Sequence, residues 1–228
     1  MNLSSAPMRL VSVNVSRPQP VAYGETSVMT GIFKTAVAGP VAVGRFNLAG
    51  DGQADLIHHG GESKAVYAYS LDHYAYWRET LACDDLPLGQ FGENLTVAGL
   101  DESRSCLGDQ LQIGSARFTI SQPRVPCFKL GIRFSNARLP QMFALSLRTG
   151  FYLRVSKEGA IAAGDPVELT SKGDGNLSIR SLFDAYLKPN DLSARRLLAR
   201  ALDNPALSPE WRGHITGRLS KSAHASHP

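Results

Sequence analysis

The sequence predicts a mostly β protein that ends in a small helical unit, and three observations carry this. Between residues 8 and 171 apolar residues recur in short alternating runs divided by turn glycines such as Gly92, Gly99, Gly108 and Gly114. Closely spaced strands of this kind build a barrel or a sandwich. After the linker SKGDGN the pattern changes: Leu182, Phe183, Tyr186 and Leu187, then Leu197, Leu198 and Leu202, then Trp211, Ile215 and Leu219 recur at helical spacing. Pro189-Asn190 and Asn204-Pro205 divide them into three short amphipathic helices. The expected organisation is a β body over residues 1–171 and a linker with three helices over 172–228. The helical unit is too small for a core of its own and should pack on the body or on a partner.

Taken in order, MRLVSVNV alternates as a half-buried strand and is broken by Arg17-Pro18. The stretch from Ser27 to Asp55 is rich in Val, Ala and Gly around Pro40, which predicts short strands and tight turns. Its Lys34 is either a solvated strand lysine or the holder of an anion. Asp51-Gly52 marks a turn. In an extended segment, neighbours His58 and His59 point to opposite faces and do not share a metal ion. A single histidine facing a cavity, beside Gly60-Gly61, is the better functional reading. Lys64 to Ser70 alternate as a strand. Leu71 to Ala82 then reads as a helix whose Tyr74, Trp77 and Leu81 form a core stripe. Leu139 to Arg148 predicts a short helix, Gly150 to Val155 a strand bearing Arg154, and VELT the last strand.

Composition narrows the function. The chain has 228 residues, 43% hydrophobic and 19% charged, as a globular protein does. Cys83, Cys106 and Cys127 form no CxxC pair, which fits a reducing, cytoplasmic compartment. No apolar run approaches the roughly 18 residues of a membrane span, and no signal peptide pattern opens the chain. Residues 1–171 carry 15 Lys+Arg against 15 Asp+Glu, and 172–228 carry 9 against 5, so the net charge of +4 resides in the tail. No dense basic run interleaved with aromatics appears, which argues against duplex nucleic acid as a partner.

The stretch SQPRVPCFKLGIR, Ser121 to Arg133, carries the chemistry. Pro123 and Pro126 stiffen the backbone that presents Cys127, and Arg124, Lys129 and Arg133 surround the thiol with positive charge. Such surroundings favour the thiolate, the form that attacks electrophiles and binds metals. The alternative is a small buried hydrophobe at a strand end.

In their order, GIFKTAV, GDGQAD with HHGG, KAVYAY, FGENL, CLGD, SQPRVPCFKLGIR and GFYLRV resemble the MOSC family, named after the C-terminal part of molybdenum cofactor sulfurase. The resemblance covers almost the entire chain. LFDAYL, ARRLLA and LSPEWRGHITGRL look like the three-helix extension of the bacterial hydroxylaminopurine-resistance branch. What it implies is a mostly antiparallel MOSC-type β-barrel holding a molybdenum-pterin cofactor (molybdopterin), with Cys127 as metal ligand and catalytic centre. A soft thiolate suits this metal. Lys34, Arg124, Lys129 and Arg154 are the candidates for the pterin phosphate, and His59 and Asn94 for the pterin or the substrate.

The implied activity is reductive dehydroxylation of N-hydroxylated bases or hydroxylamines to amines, a detoxification. Some relatives continue into an iron–sulfur domain. This chain as it stands would take electrons from a separate reductase, of the flavoprotein class, docked on the basic helical tail. Ser63 and Ser70 stand where relatives commonly have an acidic residue and a proline, which bears on substrate choice. Two alternatives remain beside the reductase: a non-catalytic carrier of the cofactor, and a persulfide carrier using Cys127.

Overall fold

The alternation in RLVSVNV buries Leu10 and Val13 completely and forms β1 (Arg9–Val15), the strand on which the rest is laid. In the computed structural model, which describes residues 7–54 and 60–223 with side chains as far as 220, the body continues through a run of short strands. These are β2 (Gln19–Tyr23), β3 (Thr26–Thr30), β4 (Thr35–Val37) and β5 (Val41–Val43). A 3-10 turn (Glu62–Lys64), β6 (Val66–Ser70), α1 (His73–Leu81), β7 (Leu95–Ala98), β8 (Gln110–Ile113) and β9 (Ala116–Pro123) follow. Then come α2 (Phe128–Arg133), α3 (Leu139–Ser146), β10 (Phe151–Lys157), β11 (Gly159–Ile161) and β12 (Val167–Ser171). The chain ends in α4 (Ile179–Leu187), α5 (Leu192–Leu202) and α6 (Pro209–Ala223). The mostly β body and the three C-terminal helices are as the sequence predicts. No helix among the described residues is long and apolar enough to cross a membrane.

Eight strands form one sheet in the order β12-β8-β9-β10-β6-β7-β1-β4, beside two small ribbons, β2-β3 and β5-β11. Two features depart from an antiparallel barrel. First, β6 and β7 run parallel, because α1 lies in the connection between them, and parallel neighbours need such a crossover. Second, the sheet does not close through a continuous ladder. β4 occupies the edge of β1 from Val13 to Val15, which leaves only its beginning for the other end of the sheet. There Arg9 and Pro166 form an isolated bridge, Val167 N donates to Met8 O (3.0 Å) and Leu10 N donates to Asp165 O (2.9 Å).

Three clusters fill the interior. Leu10, Val66, Leu95, Phe118, Ile120 and Phe151 lie within the sheet. On its outer side α1 and α3 pack an aromatic group in which Phe143 stacks on Trp77 (5.3 Å) and Tyr69 (5.6 Å), and Trp77 Nε1 donates to Tyr69 Oη (2.7 Å). Leu182, Phe183, Leu198, Trp211 and Ile215 join the C-terminal helices and share their cluster with Leu107 of the body. Local capping defines these helices: Ser178 accepts from Ser181 N, Asp191 from Ala194 N (2.8 Å) and Ser208 Oγ from Trp211 N (3.1 Å). Ser208 N also donates to Ser121 O (3.2 Å), which fastens the start of α6 to β9.

Some elements differ from expectation. The strand begins at Val66, and Lys64 belongs to the preceding 3-10 turn. α2 follows Cys127 directly and was not expected: its six residues are too few for a periodicity to show. Ser70 is fully buried and donates to Leu100 O (2.8 Å).

Gly150 has φ +65°, and a Cβ there would lie 2.3 Å from Ala68 O. Gly150→Ala should therefore lower the unfolding free energy by on the order of 3 kcal/mol, read by urea denaturation, because left-handed strain and overpacking add. An unchanged midpoint would contradict this packing.

Glu93 is fully buried and accepts from Tyr74 Oη, Gly89 N (3.1 Å), Phe91 N (3.1 Å) and Thr96 Oγ1 (2.9 Å). Burial nevertheless raises its pKa above 4.5. The folded state then holds this proton more tightly than the unfolded chain. Its contribution is complete below 4.5 and is lost as pH rises through the folded value. Measured by urea denaturation at pH 4.5, 5.5 and 7, the stability of the wild type relative to Glu93→Gln should fall as pH rises. A constant or rising difference would refute a raised Glu93.

Candidate functional site

The site grows from the end of β9. Pro123 is buried in the strand, and its successors leave the sheet in extended form, so that Cys127 (φ −123°, ψ 173°) is the residue that caps α2. Leu130 N donates to Cys127 O (3.0 Å), which fixes the backbone while leaving the half-buried thiol facing a cleft. That cleft is lined by Lys34, Asp51, Lys64, Tyr67, Asn94, Arg124, Cys127, Lys129 and Tyr152, among others.

Its polar framework centres on Asn94. Asn94 Oδ1 accepts from Tyr67 N (3.0 Å), and its Nδ2 donates to Asn14 O (3.2 Å) and to Asp51 Oδ2 (2.8 Å). Asp51 in turn accepts from Ser16 N (2.9 Å) and forms an ion pair with buried Lys34. Burial depresses the Lys34 pKa, and the Asp51 carboxylate opposes that shift.

Arg124 is only 5% exposed. Its guanidinium lies over the rings of Tyr67 (4.7 Å) and Phe143 (5.2 Å), and Nη1 donates to Tyr67 Oη (3.4 Å), which itself donates to Thr149 O (2.8 Å). Burial disfavours its charge, but a guanidinium stays protonated at any ordinary pH, and its pKa is not brought below the usual arginine value. Burial likewise pushes the hydroxyls of Tyr67 and Tyr152 up, so both stay neutral at ordinary pH.

The charges do not cancel. Lys34 is paired with Asp51 and Lys64 with Glu210 of α6. Among the described residues neither Arg124 nor Lys129 has a carboxylate partner, which leaves two cations of the cleft available to an anion.

Five of the residues expected from sequence, Lys34, Asn94, Arg124, Cys127 and Lys129, line this one cleft. Arg154 does not. It lines a neighbouring cavity with Gln122, Ser208 and Glu210, where Nη2 donates to Ser63 Oγ (3.0 Å). His59, like His58, lies outside the described residues. Sequence reasoning missed Asp51, Lys64, Tyr67 and Tyr152 of the cleft, and Glu210 of α6, which pairs with Lys64. Asp51 stood in a turn motif and Lys64 at the start of a strand pattern, so their signals were read as structure alone.

Among the described residues no three His, Cys, Asp or Glu side chains gather to hold a metal. The site fits a metal-bearing group with an anionic tail: a soft sulfur donor and a buried guanidinium without a carboxylate partner among the described residues line the same cleft.

Residues 55–168 match the sequence profile of the MOSC domain. Protein YiiM of Escherichia coli (strain K12) is 32% identical over 204 residues, 88% of either chain. A reductase of Gibberella moniliformis (strain M3125 / FGSC 7600) is 34% identical over 166 residues, 72% of this chain and 29% of the fungal protein. The crystal structure of YiiM from Geobacillus stearothermophilus superposes with a TM-score of 0.78 at 36% identity, covering 93% of this chain and all of that one. With this profile match and these relatives, and with Lys34, Asn94, Arg124 and Lys129 gathered around Cys127 in one cleft, the chain belongs to the MOSC domain family, among relatives that include YiiM.

Proposed function

We propose that this protein is a molybdenum-cofactor-dependent reductase that converts N-hydroxylated bases or hydroxylamines to amines. The observation that carries the reading is the pairing of the Cys127 thiol with Arg124, a buried cation that no carboxylate among the described residues neutralises. The similarity to a fungal reductase over 72% of this chain supports the reaction type.

In this reading Cys127 holds the metal and Arg124 and Lys129 hold the cofactor's phosphate. Lys34, its charge tied to Asp51, shapes that end of the cleft without itself taking the anion. When bound, the cofactor supplies the two electrons of the reduction. The protein's share is position and electrostatics: Arg124 is preorganised over Tyr67 and Phe143, so no reorganisation accompanies anion binding. Tyr67 and Tyr152, kept neutral by burial, offer hydroxyls without adding negative charge.

The overall change is R–NHOH + 2 electrons + 2 protons giving R–NH2 and water. The electrons come from a separate reductase, for which a flavoprotein is the class we propose. Three free thiols suit a reducing compartment, and we propose the cytoplasm. We also propose that residues 1–171 and 172–228 are the two units of the chain.

The test compares wild type with Cys127→Ser and Arg124→Gln, all expressed in a host that makes the cofactor. Molybdenum and pterin should be present in the wild type with reduction of 6-hydroxylaminopurine by a chemical electron donor, and molybdenum and turnover lost in Cys127→Ser. Arg124→Gln should lower occupancy roughly tenfold at limiting cofactor, as loss of an outer partner does. A folded wild type without molybdenum would overturn the proposal.

A further inference from the structure

Glu102 and His73 form a largely buried pair that lies outside the cleft. Glu102 sits in the connection from β7 to β8, and His73 is the first residue of α1. His73 Nε2 lies 2.9 and 2.8 Å from the two carboxylate oxygens. A carboxylate only accepts, so this ring nitrogen carries the proton between them. The imidazole packs edge-to-face with Tyr69 (5.4 Å). Burying a carboxylate is costly unless it is bonded, and Glu102 completes its bonding with one backbone group: Oε1 accepts from Gly150 N (2.9 Å).

We infer that Glu102 is a positioning residue for Arg124. It acts through the corner Thr149-Gly150 and thereby sets how tightly the cleft holds an anion. This role rests on the reading of Arg124 as the holder of the cofactor's phosphate, and it adds what keeps that guanidinium in place.

Both supports of Arg124 end on that corner. Its backbone N donates to Gly150 O (3.3 Å), one step beyond the last pair of β9 and β10, Pro123 with Phe151. Its Nη1 donates to Tyr67 Oη (3.4 Å), and that hydroxyl donates to Thr149 O (2.8 Å). The root of the side chain is therefore held by Gly150, and its charged end is held by Thr149 through Tyr67. A shift of residues 149 and 150 displaces both.

The corner needs an external hold. Arg148, Thr149 and Gly150 lie between α3 and β10, and Gly150 stands at φ +65°, where glycine is free to enter and free to leave. Glu102 meets it from a fixed base. Leu100 O accepts from Ser70 Oγ (2.8 Å), and Glu102 O accepts from Arg180 N of α4 (3.0 Å). His73 then sets the direction of the carboxylate. What Gly150 N requires is an acceptor at this reach, and an amide oxygen serves as well as a carboxylate oxygen.

The experiment reads anion binding in cofactor-free, full-length protein, as the concentration of inorganic phosphate that halves the rate of Cys127 alkylation. Phosphate should protect the wild type, and Arg124→Gln should remove the protection. Glu102→Ala should need roughly 10-fold more phosphate than the wild type, as loss of an outer partner does. Glu102→Asp keeps the charge but draws the acceptor back by one methylene, and should shift in the same direction. Glu102→Gln loses the charge but keeps the reach, and should stay within about 2-fold of the wild type. Leu198→Ala, a cavity in the helical cluster, should lower the urea midpoint and leave the protection unchanged. Protection kept in Glu102→Ala and Glu102→Asp while Arg124→Gln loses it would overturn the positioning role alone. So would an equal loss in Glu102→Gln or in Leu198→Ala. A wild type that phosphate does not protect would overturn the anion-holding reading of Arg124 and this role with it.

Discussion

The amide of Asn94 is the contact on which the cleft depends. At the entrance to β7 its backbone N donates to Tyr67 O (2.8 Å) and its backbone O accepts from Asn14 N (2.7 Å), so it is held between β6 and β1. Its side chain repeats the link with Tyr67 N and Asn14 O and uses its remaining proton on Asp51. Both Nδ2 protons are thus committed within the protein, and the consequence is positional: Asn94 orients the carboxylate that pairs with Lys34. An amide buried at this depth and fully bonded gives a single geometry, since any displacement leaves several polar groups unpaired at about 1–3 kcal/mol each. The parallel step from β6 to β7 and the antiparallel step from β7 to β1 meet at this residue.

Two kinds of cation result, and the distinction decides what the cleft can hold. Lys34 is neutralised where it stands and depressed by burial, so it shapes the field without being free to take an anion alone. Arg124 is buried as deeply but, among the described residues, meets aromatic faces and a hydroxyl in place of a carboxylate. A guanidinium tolerates this because it is weakly hydrated and stacks on rings, which an ammonium does less well. Substituting lysine at 124 would for that reason not be conservative.

Much of this was legible in the chain. Proline on both sides of Cys127 and the charges beside it identified the thiol segment, and Lys34, Asn94, Arg124 and Lys129 do converge with it. The short alternating runs announced the sheet, and the Pro-Asn and Asn-Pro breaks divided the three helices where α4, α5 and α6 divide. Arg154 illustrates what one strand cannot say: the pattern put it on a strand, but the neighbouring cavity it lines is created by the turn carrying Ser63 and by α6. Glu210 was invisible for the same reason. It follows Cys127 by more than eighty residues, and only the attachment of Ser208 to Ser121 brings it to Lys64 of the cleft. The parallel pairing of β6 and β7 was hidden because a short strand has the same pattern in either direction.

That attachment changes the meaning of the tail's basic excess. Arg212 donates to Leu202 O and Asn204 O, Arg195 Nη2 to Leu219 O (3.0 Å), Arg200 pairs with Asp174 (2.8 Å) and Lys188 with Asp184 (2.8 Å). Several of the extra cations therefore close helix ends and hold the linker, where positive charge is favourable against exposed carbonyls. The first turn of α6 also places Glu210 on Lys64, which ties the helical unit to a residue lining the Cys127 cleft. Removing the whole unit would uncover Leu107 and leave buried Lys64 without this partner, so truncation cannot separate docking from catalysis. Point substitutions on exposed arginines away from these bonds would be needed to ask whether a partner also reads this surface.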